Sequence, residues 1–156
     1  MTTDTRRPPT ILVADDDPDD RDLTREAFAA TWAAGDLRFV EDGQELLDYL
    51  YRRGAYAAEG AAPRPDLLLL DLNMPRLDGR AALRQIKADP ELKLMRVVIL
   101  TTSRAAEDIT AAYEISASSY ISKPASYRHL LEVVESLARY WLEVVELPPA
   151  PGFRAS

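Results

Sequence analysis

The chain has 156 residues, 47% of them apolar and 29% charged, which suits one compact domain with a real core and excludes a disordered chain. Its net charge of −7 comes without the clustered Lys and Arg that track phosphates, so direct DNA or RNA binding is not expected. No apolar run approaches the roughly 18 residues of a membrane span, the opening MTTDTRRPPT has no signal core, and the absence of Cys excludes disulfides, thiol chemistry and Cys-zinc sites; a soluble cytoplasmic protein without a separate output module is expected.

After a flexible lead over residues 1–9, two kinds of segment alternate. TILVA (10–14) has the length and β-branching of a buried strand, and Pro18 to about Trp32 carries Leu23, Ala27 and Phe28 at helical spacing. LRFV (37–40) is a second strand, GQELLDYLYRRG (43–54) a second helix, and GAYAAEGAAPRP (54–65) a loop by its Gly and Pro content. DLLLLD (66–71) is continuously apolar, as a strand buried on both faces should be. A helix from about Arg80 to Ala88 stops at Asp89-Pro90, RVVILTT (96–102) is another buried strand, and a weaker helix spans Ala105 to Ile115. SSYIS (118–122) is the fifth strand, and a last helix runs from about Tyr127 to Leu142 before a Pro-rich tail over 143–156. Five strands alternating with five helices predict an α/β doubly wound parallel sheet in a single domain, with ligands outside the strands' carboxyl ends.

The polar residues suited to chemistry fall at those ends. The first strand runs into Asp15-Asp16, the third into Asp71, the fourth into Thr101-Thr102 and the fifth into Lys123. Carboxylates are the donors a hard cation such as Mg²⁺ prefers, and an aspartate can be the nucleophile toward a phosphoryl group. The acyl phosphate so formed needs cations and hydroxyl donors around it.

At these residues the chain resembles the receiver domains of two-component response regulators. The segments ILVADDD, LLLLDLNMPRLDG, VVILTTS and YISKP occur in the family's order and spacing, over roughly residues 10–140. The resemblance implies a flavodoxin-like five-stranded parallel sheet of order 2-1-3-4-5. It implies Asp71 as phosphoacceptor, Asp15, Asp16 and Asp71 with the Asn73 backbone carbonyl as Mg²⁺ ligands, Thr101 as switch hydroxyl, Lys123 as the phosphate-pairing lysine and Tyr120 as switch aromatic. It also implies a Lys123–Pro124 bond that is often cis. The long second loop and the end RYWLEVVELPP look like the small stand-alone regulators of bacterial and cyanobacterial phytochromes. That likeness implies a cognate sensor histidine kinase, a bacteriophytochrome among the options. It implies a homodimer through the fourth helix, fifth strand, fifth helix and the C-terminal extension, with residues 10–142 as the receiver domain and 143–156 as the dimer arm. The apolar Tyr140, Trp141, Val144, Val145 and Leu147 support that arm, which could otherwise pack on its own domain.

Two rivals belong beside this reading: a Mg²⁺-dependent phosphohydrolase with an aspartyl nucleophile, which would need a cap domain, and a phosphorylation-independent adaptor of the same fold. On the expected reading the chain assists only its own phosphorylation and dephosphorylation. Within ADDDPDD, Asp17-Pro18 reads as helix cap and first residue, and Asp19 and Asp20 as dipole-stabilising first-turn acids. His129, Arg52, Arg53 and Lys87 read as ordinary surface side chains.

Overall fold

The computed structural model describes residues 9–29, 36–102, 106–114, 117 and 119–140. The expected ends of the first and last helices and the 143–156 arm lie outside the described residues. The elements follow in the order β1 (Thr10–Ala14), α1 (Pro18–Ala29), β2 (Asp36–Val40), α2 (Gly43–Tyr51), β3 (Leu67–Leu70), α3 (Gly79–Ala88), β4 (Arg96–Thr101), α4 (Ala106–Glu114), β5 (Ser119–Ser122) and α5 (Tyr127–Arg139). All strand pairings are parallel, in the order β2-β1-β3-β4-β5 expected for a flavodoxin-like sheet. The order matches composition: TILVA, LLLL and RVVILT fill the centre, whereas DLRFV and SYIS, half-buried and more polar, form the edges.

The period of two along each strand divides the core between the sheet's faces. Ile11, Val13, Leu67, Leu69, Val98 and Leu100 pack with Leu23, Ala27 and Phe28 of α1 and Leu130, Val134 and Leu137 of α5. Leu12, Ala14, Leu68, Leu70, Val97 and Ile99 pack with Leu46 and Leu50 of α2 and Leu83 and Ile86 of α3 on the other side. Each face thus covers three adjacent central strands, which leaves only the strand ends for chemistry.

Local chemistry sets the helix limits. Asp42 caps α2 by accepting from the Glu45 N–H at 2.7 Å, and Glu45 accepts from the Glu41 N–H at 2.7 Å. The expected helix through Gly54 stops at Tyr51, because Arg52 turns left-handed (φ 54°) and its N–H satisfies carbonyls of Asp48 and Tyr49. Gly54–Tyr56 then makes one 3₁₀ turn within the expected loop.

Two basic side chains expected at the surface, exposed Arg52 and half-buried Lys87, also act as clips. Arg52 Nε donates to the Ala62 carbonyl at 3.1 Å, and half-buried Lys87 donates from Nζ to the carbonyls of Lys93 and Met95 at 3.0 and 2.8 Å. Loop carbonyls that no strand pairs with need donors, and a long basic side chain reaches them. Burial holds the Lys87 ammonium below its usual value, with Arg96 adding to the effect. The Ala61 carbonyl takes Arg38 Nη1 at 3.1 Å and the Pro63 carbonyl takes the Tyr49 hydroxyl at 2.7 Å, while Arg64 donates to the Leu50 carbonyl. No cis peptide bond occurs among the described residues, so Lys123–Pro124 is trans, contrary to the expectation.

Tyr49 gives the fold a measurable signature. Burial pushes its phenol from 10.0 to about 12, so the unfolded chain loses that proton first as pH rises. The stability it contributes is complete below pH 10 and disappears toward pH 12. Urea melts across that window should show a loss on the order of 2 kcal/mol from this group, and Tyr49→Phe should flatten the alkaline decline while costing about 1 kcal/mol at neutral pH through the undonated Pro63 carbonyl.

Candidate functional site

The sheet brings the carboxyl ends into register. The Asp15 N–H donates to the Val40 carbonyl at 3.0 Å, the Asp71 N–H to Ala14 at 3.0 Å and the Lys123 N–H to Thr101 at 2.7 Å. Each residue therefore continues its ladder by one step, fixing where its side chain leaves the backbone.

Those side chains meet. Lys123 Nζ lies 2.7 Å from Asp15 Oδ2, 2.8 Å from Asp20 Oδ2 and 3.2 Å from Asp71 Oδ2. Asp71 Oδ1 accepts from the Thr101 hydroxyl at 2.8 Å and from the Asn73 N–H at 3.0 Å. Asn73 Nδ2 reaches the hydroxyls of Thr101 and Thr102, each at 3.3 Å. Asp15, Asp71, Thr101 and Lys123 are buried, whereas Asp16 and Asn73 are exposed at the rim. Tyr120 is half-buried against the core cluster, with its N–H donating to the Tyr113 hydroxyl of α4 at 3.1 Å.

Thr101 is turned inward, with its hydroxyl on the Asp71 carboxylate. One expectation changes. Asp20 is more than a first-turn acid: its carboxylate turns back from α1 onto Lys123. The sequence carried a faint signal for this, since Asp20 stands three residues after the capping Asp17, the position whose side chain folds back over a helix start. Asp17 does cap, accepting from the Asp19 N–H at 2.9 Å. Arg21 was also missed; it donates to the Asp15 carbonyl at 2.9 Å and pairs with Glu41 at 3.1 Å.

The loop after Asp71 is shaped by close approach. A Cβ on Gly79 would lie 2.4 Å from the Asp71 carbonyl oxygen, so only glycine lets α3 begin against the third strand's end. Arg76 takes φ 65° in the same loop and pairs with Asp42 at 3.2 Å.

Burial raises the Asp15 carboxyl above its ordinary value, against the pull of Lys123, and the Asp71 charge adds to the rise. Burial alone would lower the Lys123 ammonium, but Asp15, Asp20 and Asp71 together hold it well above the usual lysine value. The pocket thus contains more carboxylate than its lysine neutralises. Asp15, Asp16 and Asp71 can each present an oxygen such that all lie within 4.8 Å of one another. An all-oxygen donor set with unbalanced negative charge fits a hard divalent cation.

A family model described as the response regulator receiver domain matches residues 11–135. The chain belongs to that family. It is 36% identical to response regulator Rcp1 of Synechocystis sp. over 150 residues, covering 96% of this chain and 100% of Rcp1. The crystal structure of the Mn²⁺-bound form of Rcp1 superposes with a TM-score of 0.87 at 37% identity, covering 91% of this chain and 100% of the other. The phosphorylated cyanobacterial phytochrome response regulator RcpA gives a TM-score of 0.85 at 39% identity, covering 90% and 99% of the two chains. Among the described residues no helix of this receiver domain is long and apolar enough to cross a membrane.

Cation binding by the acidic cluster has a direct consequence. Thermal melts with Mn²⁺ or Mg²⁺ at about a hundred times the dissociation constant should show about 2.7 kcal/mol of added stability. Asp16→Ala, at an exposed position, should leave the metal-free melt within about 0.5 kcal/mol of wild type and abolish the gain.

Proposed function

We propose that this response regulator accepts a phosphoryl group on Asp71 from a phosphohistidine of a sensor histidine kinase, and that the modification alters a surface used for dimerisation or partner binding. The observation that carries the reading is the surround of Asp71: a hydroxyl and an amide N–H on one carboxylate oxygen, an ammonium on the other, and two further carboxylates alongside.

In the proposed step the Asp71 carboxylate attacks phosphorus, the phosphorus–nitrogen bond of the donor breaks, and the imidazole leaves with the electron pair. Asp15, Asp16 and Asp71, with the Asn73 backbone carbonyl, would hold Mg²⁺. When bound, the ion supplies positive charge that offsets the carboxylates and the incoming phosphoryl oxygens. Lys123 and Thr101 are already at Asp71, so their donors can transfer to phosphoryl oxygens without a large search. The domain processes no external metabolite in this scheme.

The output side rests on β5. Tyr120 pairs in register with Ile99 on β4, two residues before Thr101, and is tied to α4 through Tyr113. New phosphoryl contacts at Thr101 therefore bias the packing of α4, β5 and α5, a population shift rather than a new fold. β5 is an edge strand, and an open cavity of about 800 Å³ along it is lined by Ile121, Val133, Leu137 and Tyr140. A second copy of the chain, assisted by residues 143–156, is the proposed occupant, and similarity to Rcp1 and RcpA supports a phytochrome-type kinase as donor.

Incubation with acetyl phosphate and Mg²⁺ should place one acid-stable, base-labile phosphoryl group on wild type and none on Asp71→Asn. Equal labelling of both would overturn the assignment, and sustained turnover of p-nitrophenyl phosphate would favour a hydrolase. In light-scattering measurements a chain ending at Tyr140 should run as a monomer where the full chain is a dimer; an unchanged dimer mass removes the arm.

A further inference from the structure

Lys123 has one partner that the metal site does not account for. An ammonium carries three protons, and Asp15, Asp20 and Asp71 at 2.7, 2.8 and 3.2 Å take all three. Asp15 and Asp71 also belong to the oxygen cluster that suits a cation; Asp20 does not. Asp20 is thus the one carboxylate on Lys123 that a bound cation would leave to the lysine.

We propose that Asp20 is a positioning residue: it anchors the Lys123 ammonium from α1, outside the cation cluster, and so directs another of its protons toward Asp71 and the phosphoryl group there. The proposal rests on Asp71 being the phosphoacceptor.

The anchor is itself held. Asp17 caps the first turn of α1, the Thr24 hydroxyl donates to the Asp20 carbonyl at 2.8 Å, and the Arg21 guanidinium ties α1 to the Asp15 carbonyl at 2.9 Å. Lys123, by contrast, is secured at its backbone by the N–H bond to Thr101, and its four-carbon stem is flexible. A cation drawing on Asp15 weakens that oxygen as an acceptor, leaving the ammonium to drift along the cluster unless a separate carboxylate keeps it. Asp20 occupies that place, with its side chain only partly exposed, so solvent does not replace it cheaply.

The test uses the full chain with Asp20→Ala, Asp20→Asn and Lys123→Met. With Mg²⁺ present, nitrogen-15 NMR of lysine side chains should show a slowly exchanging ammonium in wild type that Lys123→Met lacks. Asp20→Ala should lose this signal and be labelled by acetyl phosphate about tenfold more slowly, the value of one charge-assisted hydrogen bond, while its Mn²⁺ affinity by calorimetry stays close to the wild-type value. Asp20→Asn keeps an acceptor oxygen and should recover most of both the signal and the rate, which a purely structural or purely charge-based role would not produce. The proposal is overturned if Asp20→Ala keeps the ammonium signal and labels at the wild-type rate, or if its Mn²⁺ affinity falls in step with labelling, making Asp20 part of the metal site. Failure of the Asp71 reading looks different: Asp71→Asn then labels like wild type, while the ammonium signal still depends on Asp20.

Discussion

The buried ammonium of Lys123 is the contact on which the site's arrangement depends. It joins the end of β5 to β1, β3 and the first turn of α1, across sequence separations of 108, 52 and 103 residues. Desolvating an ion is expensive, and only several well-placed opposite charges offset the cost. Removing the lysine would leave Asp15 and Asp71 buried together with nothing positive between them. Removing one carboxylate would leave the lysine with two others. The pocket is therefore asymmetric: a single cation organises several anions, and the excess negative charge is what suits it to a divalent ion.

The rest of the fold serves that arrangement by leaving the strand ends little freedom. Three central strands are apolar on both faces, so the sheet cannot shift register without exposing Leu67–Leu70 or Val97–Leu100. The backbone hydrogen bonds of Asp15, Asp71 and Lys123 extend that register one residue further, into the site. On the far side of Asp71, Gly79 allows α3 to press against the Asp71 carbonyl, and Gly43 allows α2 to meet the Leu77 carbonyl in the same loop. Asp71 thus sits between a fixed strand and a closely packed turn. Thr101 links it to β4, and through the β4–β5 pairing to Tyr120 and the α4 face. This is a short physical route from chemistry to surface.

Two outlying features also follow from satisfying backbone groups. The long segment after α2 is held because Ala61, Ala62 and Pro63 each present a carbonyl to a donor from Arg38, Arg52 or Tyr49. The turn before β4 is held because Lys87 reaches two carbonyls at once. Basic side chains that look merely solvated in a linear reading serve as donors to loop carbonyls once the chain folds.

The sequence by itself determined the strands, their burial and most of the site, since continuous apolar runs ending in Asp, Thr or Lys encode both a central strand and what stands at its mouth. Asp15, Asp71, Thr101 and Lys123 were legible for that reason, and edge position was legible in the polarity of β2 and β5. Only the tertiary structure decided which partners those groups take. Asp19 and Asp20 are alike as first-turn acids, yet the way α1 sits in the fold directs only Asp20 of the two to Lys123, 103 residues away. The clips made by Arg52 and Lys87 are likewise outcomes of packing. They depend on what lies across a gap in space, which no local pattern records.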